Sequence, residues 1–329
     1  MIGLVSYLVF FAVVVLIFGI MALGLNLQWG ATGLFNAGVV GFYGIGAYAH
    51  ALLTAPPRPE LLLNLGLPWP VGVLGAMAAT ALAALVVGLA TVRLRGDYLA
   101  IATFGIAASF QIVVLNWEGL TGGSLGLTAI PRPLAALFRD PFAYNLFFLG
   151  LVALAAGLVY AGFERIVRSP WGRVLKAIRE DETAAMTLGK SVESFRLQAF
   201  VLGSTAMGLA GALYVSFIGF VSPFDFLPII TFQVWTMVIV GGSGNNRGVL
   251  LGAFVVWGLW SASGTAIAKL LPAAWQTQGG AVQSILIGTA LVLVLIFRPR
   301  GLIGEAATVS RHLSGPSAEP RPIRQEKTA

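Results

Sequence analysis

The sequence predicts an all-α polytopic membrane protein with about nine (8–10) transmembrane helices, some of them broken by glycine. Three observations lead there. Hydrophobic residues make up 57% of the 329 and charged residues 10%, against roughly 25% charged in an ordinary globular domain. Residues 1–57 contain no Lys, Arg, Asp or Glu, and no water-exposed surface can be built from such a stretch. Charge-free windows close to the roughly 20 residues that a membrane helix needs then follow one another along the chain.

In order, these windows run over residues 4–27, 33–55, 69–91, 98–116, 143–163, 197–221, 226–242, 248–268 and 281–297. The first two share one uninterrupted block, divided at a break placed near Gln28-Trp29-Gly30. The first window lacks the basic start of a signal peptide and is followed by further spans, so it reads as a helix that stays. Residues 1–304 are taken as the transmembrane domain, with 164–196 as its one sizeable charged connection. Arg298-Pro299-Arg300 ends the last helix at the interface. Residues 305–329 are polar, carry Pro316, Pro320 and Pro322, and read as a disordered cytoplasmic tail.

The placement of charge gives an orientation. If the C-terminus is cytoplasmic, sixteen of the twenty basic residues fall on the inside: Arg93, Arg95, seven within 164–196, Arg247 and six after residue 297. Only Arg58, Arg132, Arg139 and Lys269 remain outside. That asymmetry is a positive-inside signal, and it accounts for the net charge of +7 without nucleic acid. With nine spans the N-terminus lies outside.

Composition also excludes chemistry. There are no cysteines, hence no disulfide, zinc thiolate or thiol nucleophile. Two histidines, His50 and His312, are too few for a multi-histidine metal site. No span contains a carboxylate: Asp97 and Asp225 fall at predicted interfaces, and His50, near an outer end, is expected to snorkel or hydrogen-bond locally. A proton-coupled carrier needs a buried relay, and an intramembrane hydrolase needs a base, a dyad or a metal at depth. Catalytic residues are therefore absent from the expectation, and the chain reads as a transporter component and not an enzyme. Sodium coupling through backbone carbonyls stays open.

Small residues crowd window 33–55, including Gly38, Gly41, Gly44, Gly46 and Ala47, beside Tyr43. Small side chains let membrane helices approach closely; the same glycines can break a helix and line a pathway. Gly41-x-x-Gly44-x-Gly46 is no dinucleotide fingerprint, because no strand precedes it. Embedded amides at Asn36, Gln111 and Gln233 suit interhelical hydrogen bonds or contacts along a solute path. Thr121-Gly122-Gly123-Ser124, in the long outer connection 117–142, is either a glycine turn or a nest of N–H groups able to hold a carboxylate.

The connection 164–196 contains apolar residues at Val174, Leu175, Ile178, Ala185 and Leu188, spaced as in an amphipathic helix. Pro170 precedes this run and Gly189 is placed to stop it, which predicts one helix over 172–189. Such a helix can lie on lipid or fill a groove on a partner, or be simply a solvated charged loop.

At this point the sequence resembles a known family. Glu182-Thr183-Ala184-Ala185-x-x-x-Gly189 is similar to the coupling loop of ABC-importer permeases, although Thr183 stands where the family pattern has Glu. Leu25-Asn26-Leu27-Gln28-Trp29-Gly30, Phe35-Asn36-Ala37-Gly38, Gly41-Phe42-Tyr43-Gly44-Ile45-Gly46-Ala47-Tyr48 and Leu94-Arg95-Gly96-Asp97-Tyr98-Leu99-Ala100 resemble the branched-chain amino-acid permeases. So do Thr121-Gly122-Gly123-Ser124, Gly241-Gly242-Ser243-Gly244 with Gly248, and Phe297-Arg298-Pro299-Arg300-Gly301-Leu302. The order and spacing, over about residues 20–304, resemble the LivM family of inner-membrane permeases.

The resemblance implies an ABC-importer fold and a machine of several subunits: a second, LivH-like permease, two LivG/LivF-like ATPases and an extracytoplasmic amino-acid-binding protein. This chain has no Gly-x-x-x-x-Gly-Lys-Ser/Thr loop, so ATP and Mg are expected on the partner ATPases and no cofactor on this chain. Arg179, Glu180, Glu182, Ala184, Ala185 and Gly189 become candidates for ATPase coupling. Asn36, Gly41, Tyr43, Gly44, Gln111, Thr121, Gly122, Gly123, Ser124 and Gln233 become candidates for the translocation path. Importers of urea or short amides have permeases that look alike, and a self-sufficient secondary carrier or channel is the alternative from another class.

Overall fold

The computed structural model describes residues 2–57, 61, 63–94, 96–270, 278–298 and 300–305. In chain order its helices are α1 (Ile2–Thr32), α2 (Val39–Thr54), α3 (Trp69–Thr91), α4 (Asp97–Asn116), α5 (Glu118–Thr121), α6 (Pro141–Arg168), α7 (Pro170–Glu180), α8 (Glu182–Thr187), α9 (Val192–Ile218), α10 (Pro228–Gly241), α11 (Asn246–Leu270) and α12 (Gly279–Phe297). Among the described residues, seven helices are long and apolar enough to cross a membrane, while α2 and α10 are apolar but shorter. These elements correspond to the nine charge-free windows.

Local chemistry sets several of the ends. Pro141 and Pro170 stand in the first turns of α6 and α7, where a missing N–H costs nothing. Asp140, Ser169 and Asp181 cap α6, α7 and α8 by accepting N–H bonds from Phe142, Gly172 and Ala184. The cap at Asp181 also divides the segment expected as one helix over 172–189. It terminates α7 and starts α8, so the run is two short helices with a bend between them.

The break after α1 also differs from expectation. Helix continues through Gln28-Trp29-Gly30 and stops at Gly33, whose φ of +72° is left-handed. Leu34 N–H then returns to the Gln28 carbonyl at 2.9 Å. At a rise of 1.5 Å per residue, the 16 residues of α2 span about 24 Å and the 14 of α10 about 21 Å, short of a hydrocarbon core of ~30 Å. Residues 33–38, irregular and with Leu34, Asn36 and Gly38 buried, lead into α2. Irregular backbone is tolerated at depth only where protein encloses it.

α9 is the axis of the bundle and packs against α1, α2 and α3. Its glycines make this possible. A Cβ on Gly24 would strike the Gly203 carbonyl and one on Gly203 the Gly24 carbonyl; Gly46 faces the Gly208 backbone, and Gly211 faces the Tyr43 carbonyl and the Ala47 nitrogen. Lipid tails are as apolar as leucine, so close backbone packing of this kind, and not hydrophobic exclusion, holds membrane helices together. Gly241, Gly248 and Gly252 make a similar seam between α10 and α11.

On one side, a two-residue ribbon pairs β1 (Leu127–Thr128) with β2 (Phe220–Val221), Leu127 opposite Val221. On the other, residues 300–305 run under the bundle: Leu302 N–H donates to Val240 and Ile303 N–H to Gly241, at 2.8 and 3.0 Å. Glu305 ends this run in ion pairs with Lys176 and Arg179 of α7, at 2.7 and 2.8 Å. Glu305, which the sequence reads as the start of the tail, is thus anchored; 306–329 lie outside the described residues. The same pairs put the end of the last helix and the charged segment 164–196 on one side.

Candidate functional site

Polar atoms inside an apolar bundle must find partners, and three groups of them organise this one. The first gathers at the end of α1. Gln28 Nε2 donates to the Phe200 carbonyl at 2.8 Å and to Ser204 Oγ at 3.0 Å. Its Oε1 accepts Asn36 Nδ2 at 2.8 Å. Asn36 Oδ1 in turn accepts the Gly38 N–H, and its carbonyl accepts Trp235 Nε1. Asn36, a path candidate, is therefore a fully buried joint between α1, α2 and α10 in this conformation.

A second group lies near the far end of α2. His50 is fully buried, with Nε2 at 2.9 Å from Ser216 Oγ, which also receives Trp69 Nε1 at 2.8 Å. Of the two expectations for His50, snorkelling or hydrogen-bonding, the structure shows the hydrogen bond, with α3 and α9 covering the ring. The third group joins α1 to α11 and α6. Asn26 Nδ2 donates to Asn246 Oδ1, and Asn246 Nδ2 to Glu164 Oε2, both at 2.9 Å.

The glycine candidates are closed by neighbours. A Cβ on Gly41 would meet Ala107 of α4 at 2.9 Å, and one on Gly44 would meet Phe110 and Phe226. Gln111 reaches across to the Pro223 carbonyl at 3.3 Å. In the connection 117–142, Gly122 N–H donates to the Glu118 carbonyl at 3.0 Å and Gly123 N–H to Thr121 Oγ1 at 3.4 Å. Thr121 is buried and itself bonds the Val114 carbonyl, whereas Ser124 is exposed. The glycine N–H groups of this turn are occupied inside it, which is the geometry of a turn and not of an open anion nest.

Tyr43 and Gln233 do meet a space. They line a cavity of about 270 Å³ between α1, α2, α9, α10 and α11, together with Phe18, Tyr214, Asp225 and Trp257. Phe18 and Trp257 stack at 4.6 Å, and Tyr43 lies 5.8 Å from Tyr214. Asp225 sits in the 3-10 turn Pro223–Phe226, which Ser222 opens with a reciprocal capping box. Interface reasoning from sequence passed over Asp225. One signal was available: it is the only charged residue between Arg196 and Arg247.

The charged segment presents a mixed surface. Arg179 points inward, to the Gly30 carbonyl and Glu305, and Glu182 pairs with Arg196 at 3.3 Å. Ala185 is 2% exposed and packs with Ile178 and Val192. Glu180, Ala184 and Gly189 face outward, and beside them two apolar side chains, Met186 and the Leu188 expected on the helix's apolar face, are 46% and 76% exposed. Gly189 has φ +74° and donates its N–H to the Met186 carbonyl, which ends the segment.

A bundle of apolar helices closed by glycine seams, with an open cavity between them and a helical segment on one face, has the architecture of a multi-pass membrane transport protein. The chain matches the family described as branched-chain amino acid transport system / permease component over residues 7–295. It is 33% identical, over 89% of its length and 69% of theirs, to the high-affinity branched-chain amino acid transport system permease proteins LivM of Escherichia coli (strain K12) and Salmonella typhimurium. It is 32% identical to the autoinducer 2 import system permease protein LsrC of Enterobacter sp., over 58% of this chain and 55% of that one. No solved structure matches it. The chain belongs to the branched-chain amino acid transport permease family, in its LivM group.

Proposed function

We propose that this chain is a membrane-spanning permease subunit of an ABC importer that passes branched-chain, or other small hydrophobic, amino acids across the inner membrane. The family match over residues 7–295 carries this reading. ATP with Mg acts on two partner ATPase subunits, LivG/LivF-like, and an extracytoplasmic binding protein delivers the solute. A second, LivH-like permease completes the translocation unit. The side bearing α7, α8 and residues 300–305 is cytoplasmic, in keeping with the sixteen basic residues assigned there.

In this reading the outward face of the charged segment, with Glu180, Ala184 and Gly189 joined by Met186 and Leu188, docks on an ATPase. Arg179, Glu182 and Ala185 hold that face in place from behind. Exposed leucine and methionine beside charge suit a groove-binding helical anchor. Tyr43 and Gln233 belong to the path, and Asn36, Gly41, Gly44, Gln111 and the Thr121–Ser124 turn frame it.

The test is uptake of labelled leucine and, separately, labelled urea in cells with and without the gene, before and after ATP depletion. Gene-dependent leucine uptake that stops on depletion is expected. Loss of urea uptake alone would keep the machine and change its cargo. Gene-dependent uptake that outlasts ATP depletion would refute the importer assignment in favour of a secondary carrier.

A further inference from the structure

The aromatic cavity contains one charged group whose presence the fold alone does not require. Of the Asp225 carboxylate, Oδ2 accepts the Ser222 N–H at 2.9 Å, and the neutral amide oxygen of an asparagine in that place can accept the same bond. No Lys or Arg pairs with Asp225 among the described residues. A carboxylate drawn partly out of water without a cation is unfavourable, so an unmatched one lining a cavity points to a cation that arrives from outside.

The rest of the lining describes that visitor further. Phe18, Ile229, Ile230, Trp257 and Trp260 supply an apolar wall, while Tyr43, Tyr214 and Gln233 supply polar contacts. Faces of Tyr and Trp attract ammonium groups as well as alkyl chains. A volume of about 270 Å³ is several times the ~30 Å³ share of a water molecule and admits a solute of leucine size. A neutral amide such as urea has no cation to offer and leaves the apolar wall unmatched.

We propose that this cavity is a transit site for small aliphatic amino acids, in which Asp225 receives the solute's α-ammonium group and the ring-lined wall receives its side chain. The proposal rests on the importer reading and sharpens it: solute chemistry is read a second time inside the permease, by charge. Asp225 is then a specificity-determining residue.

The experiment uses the complete importer, with this chain, its partner permease and ATPases, in proteoliposomes with the binding protein and labelled leucine. Uptake and ATP hydrolysis are measured together. Asp225→Asn keeps an oxygen for the Ser222 N–H but removes the charge; a charge-assisted hydrogen bond to substrate predicts a loss of uptake of about tenfold or more. Stimulation of ATP hydrolysis by the loaded binding protein should persist, showing an assembled machine. Asp225→Glu should restore most of the uptake. Ser222→Ala removes the hydroxyl that caps the Phe224 N–H without touching the charge, and should leave uptake near wild type. Wild-type uptake by Asp225→Asn would overturn the transit site while leaving the importer standing, and so would a loss in Ser222→Ala as deep as in Asp225→Asn. A wild-type complex that moves urea and no leucine would overturn the cargo reading and this proposal with it.

Discussion

Replacing Gln28 by leucine tests whether the joint between α1 and α2 is held by its amides. Leucine has nearly the same volume, so the change removes hydrogen bonds and leaves little cavity. Three bonds go: two donated by Nε2 and one accepted by Oε1. Their losses are unequal. The Phe200 carbonyl lies inside α9 and the Ser204 hydroxyl can turn toward it, but Asn36 Nδ2 is left buried without its acceptor. An unsatisfied buried donor costs about 1–3 kcal/mol, whereas interhelical bonds measured in a membrane protein average only ~0.6 kcal/mol. The orphaned Asn36 amide therefore dominates, and the expected destabilisation is ~1–3 kcal/mol. Chains somewhat smaller than this one lose roughly 2–4 °C per kcal/mol, so the thermal midpoint of the purified complex should fall by several degrees.

The assay is loss of the monodisperse gel-filtration peak after heating, for Gln28→Leu, Asn36→Leu and the double variant. If the two amides satisfy each other, the double variant is less harmful than the sum of the singles by ~1 kcal/mol. Additive losses, or a Gln28→Leu complex as stable as wild type, would refute the reasoning. Asn36→Leu that abolished uptake at unchanged stability would return Asn36 to the translocation path.

Three further outcomes follow from the geometry. Gly211→Leu forces a side chain against the Tyr43 carbonyl and Ala47 nitrogen, backbone atoms that cannot swing aside; overpacking costs at least ~1–3 kcal/mol, and the yield of folded membrane-inserted protein should collapse. Leu188→Asp, on an exposed side chain, should leave this chain folded but reduce co-purification of an ATPase partner, whereas Ala185→Asp should destabilise the segment itself because Ala185 is enclosed. Partial burial acts to raise the Glu305 pKa, but the hydrogen bonds and charges of Lys176 and Arg179 outweigh it and hold the carboxyl below its ordinary value of 4.5. A depressed pKa means that the latch contributes fully above that ordinary value and is lost as pH falls through the lower folded one. Acid or high salt should therefore speed proteolysis near residue 305 in the wild type, and much less in Glu305→Gln.

The helices were legible because hydropathy is the first constraint a bilayer imposes: α3 and the end of α12 fall where the charge-free windows end. The joint at 33–38 was not, since a block with no charges for 57 residues offers no edge. Only the left-handed Gly33 and the folding-back of Leu34 onto Gln28 reveal it. Asp225 and Leu188 show the same gap on a smaller scale. Window arithmetic sorts an acid by its distance from a span end, and periodicity sorts a leucine by its helical face. Neither can tell that a capped turn carries Asp225 to a cavity wall, or that a bend at Asp181 leaves Leu188 exposed while Ala185 stays enclosed. Glu305 was assigned to the tail because its partners lie more than a hundred residues away.

These particulars join two places that a translocation cycle has to connect. Arg179 of α7 holds the Gly30 carbonyl at the C-terminal end of α1, and Phe18, Val14 and Phe10 of the same helix line the cavity. Glu305 ties α7 to the run that hydrogen-bonds Val240 and Gly241 of α10, and α10 carries Gln233 into the cavity. Both cavity walls are thus tied to α7 by short, directional bonds. Contiguity alone does not establish coupling; a two-state element biased from both ends does. α10, short and set off from α9 by a capped turn, is the element that the Glu305 tie reaches. Cutting one tie with Glu305→Gln should therefore lower leucine uptake per ATP hydrolysed. If uptake per ATP stays unchanged in that variant, the α10 tie transmits nothing and α1 alone must carry the motion.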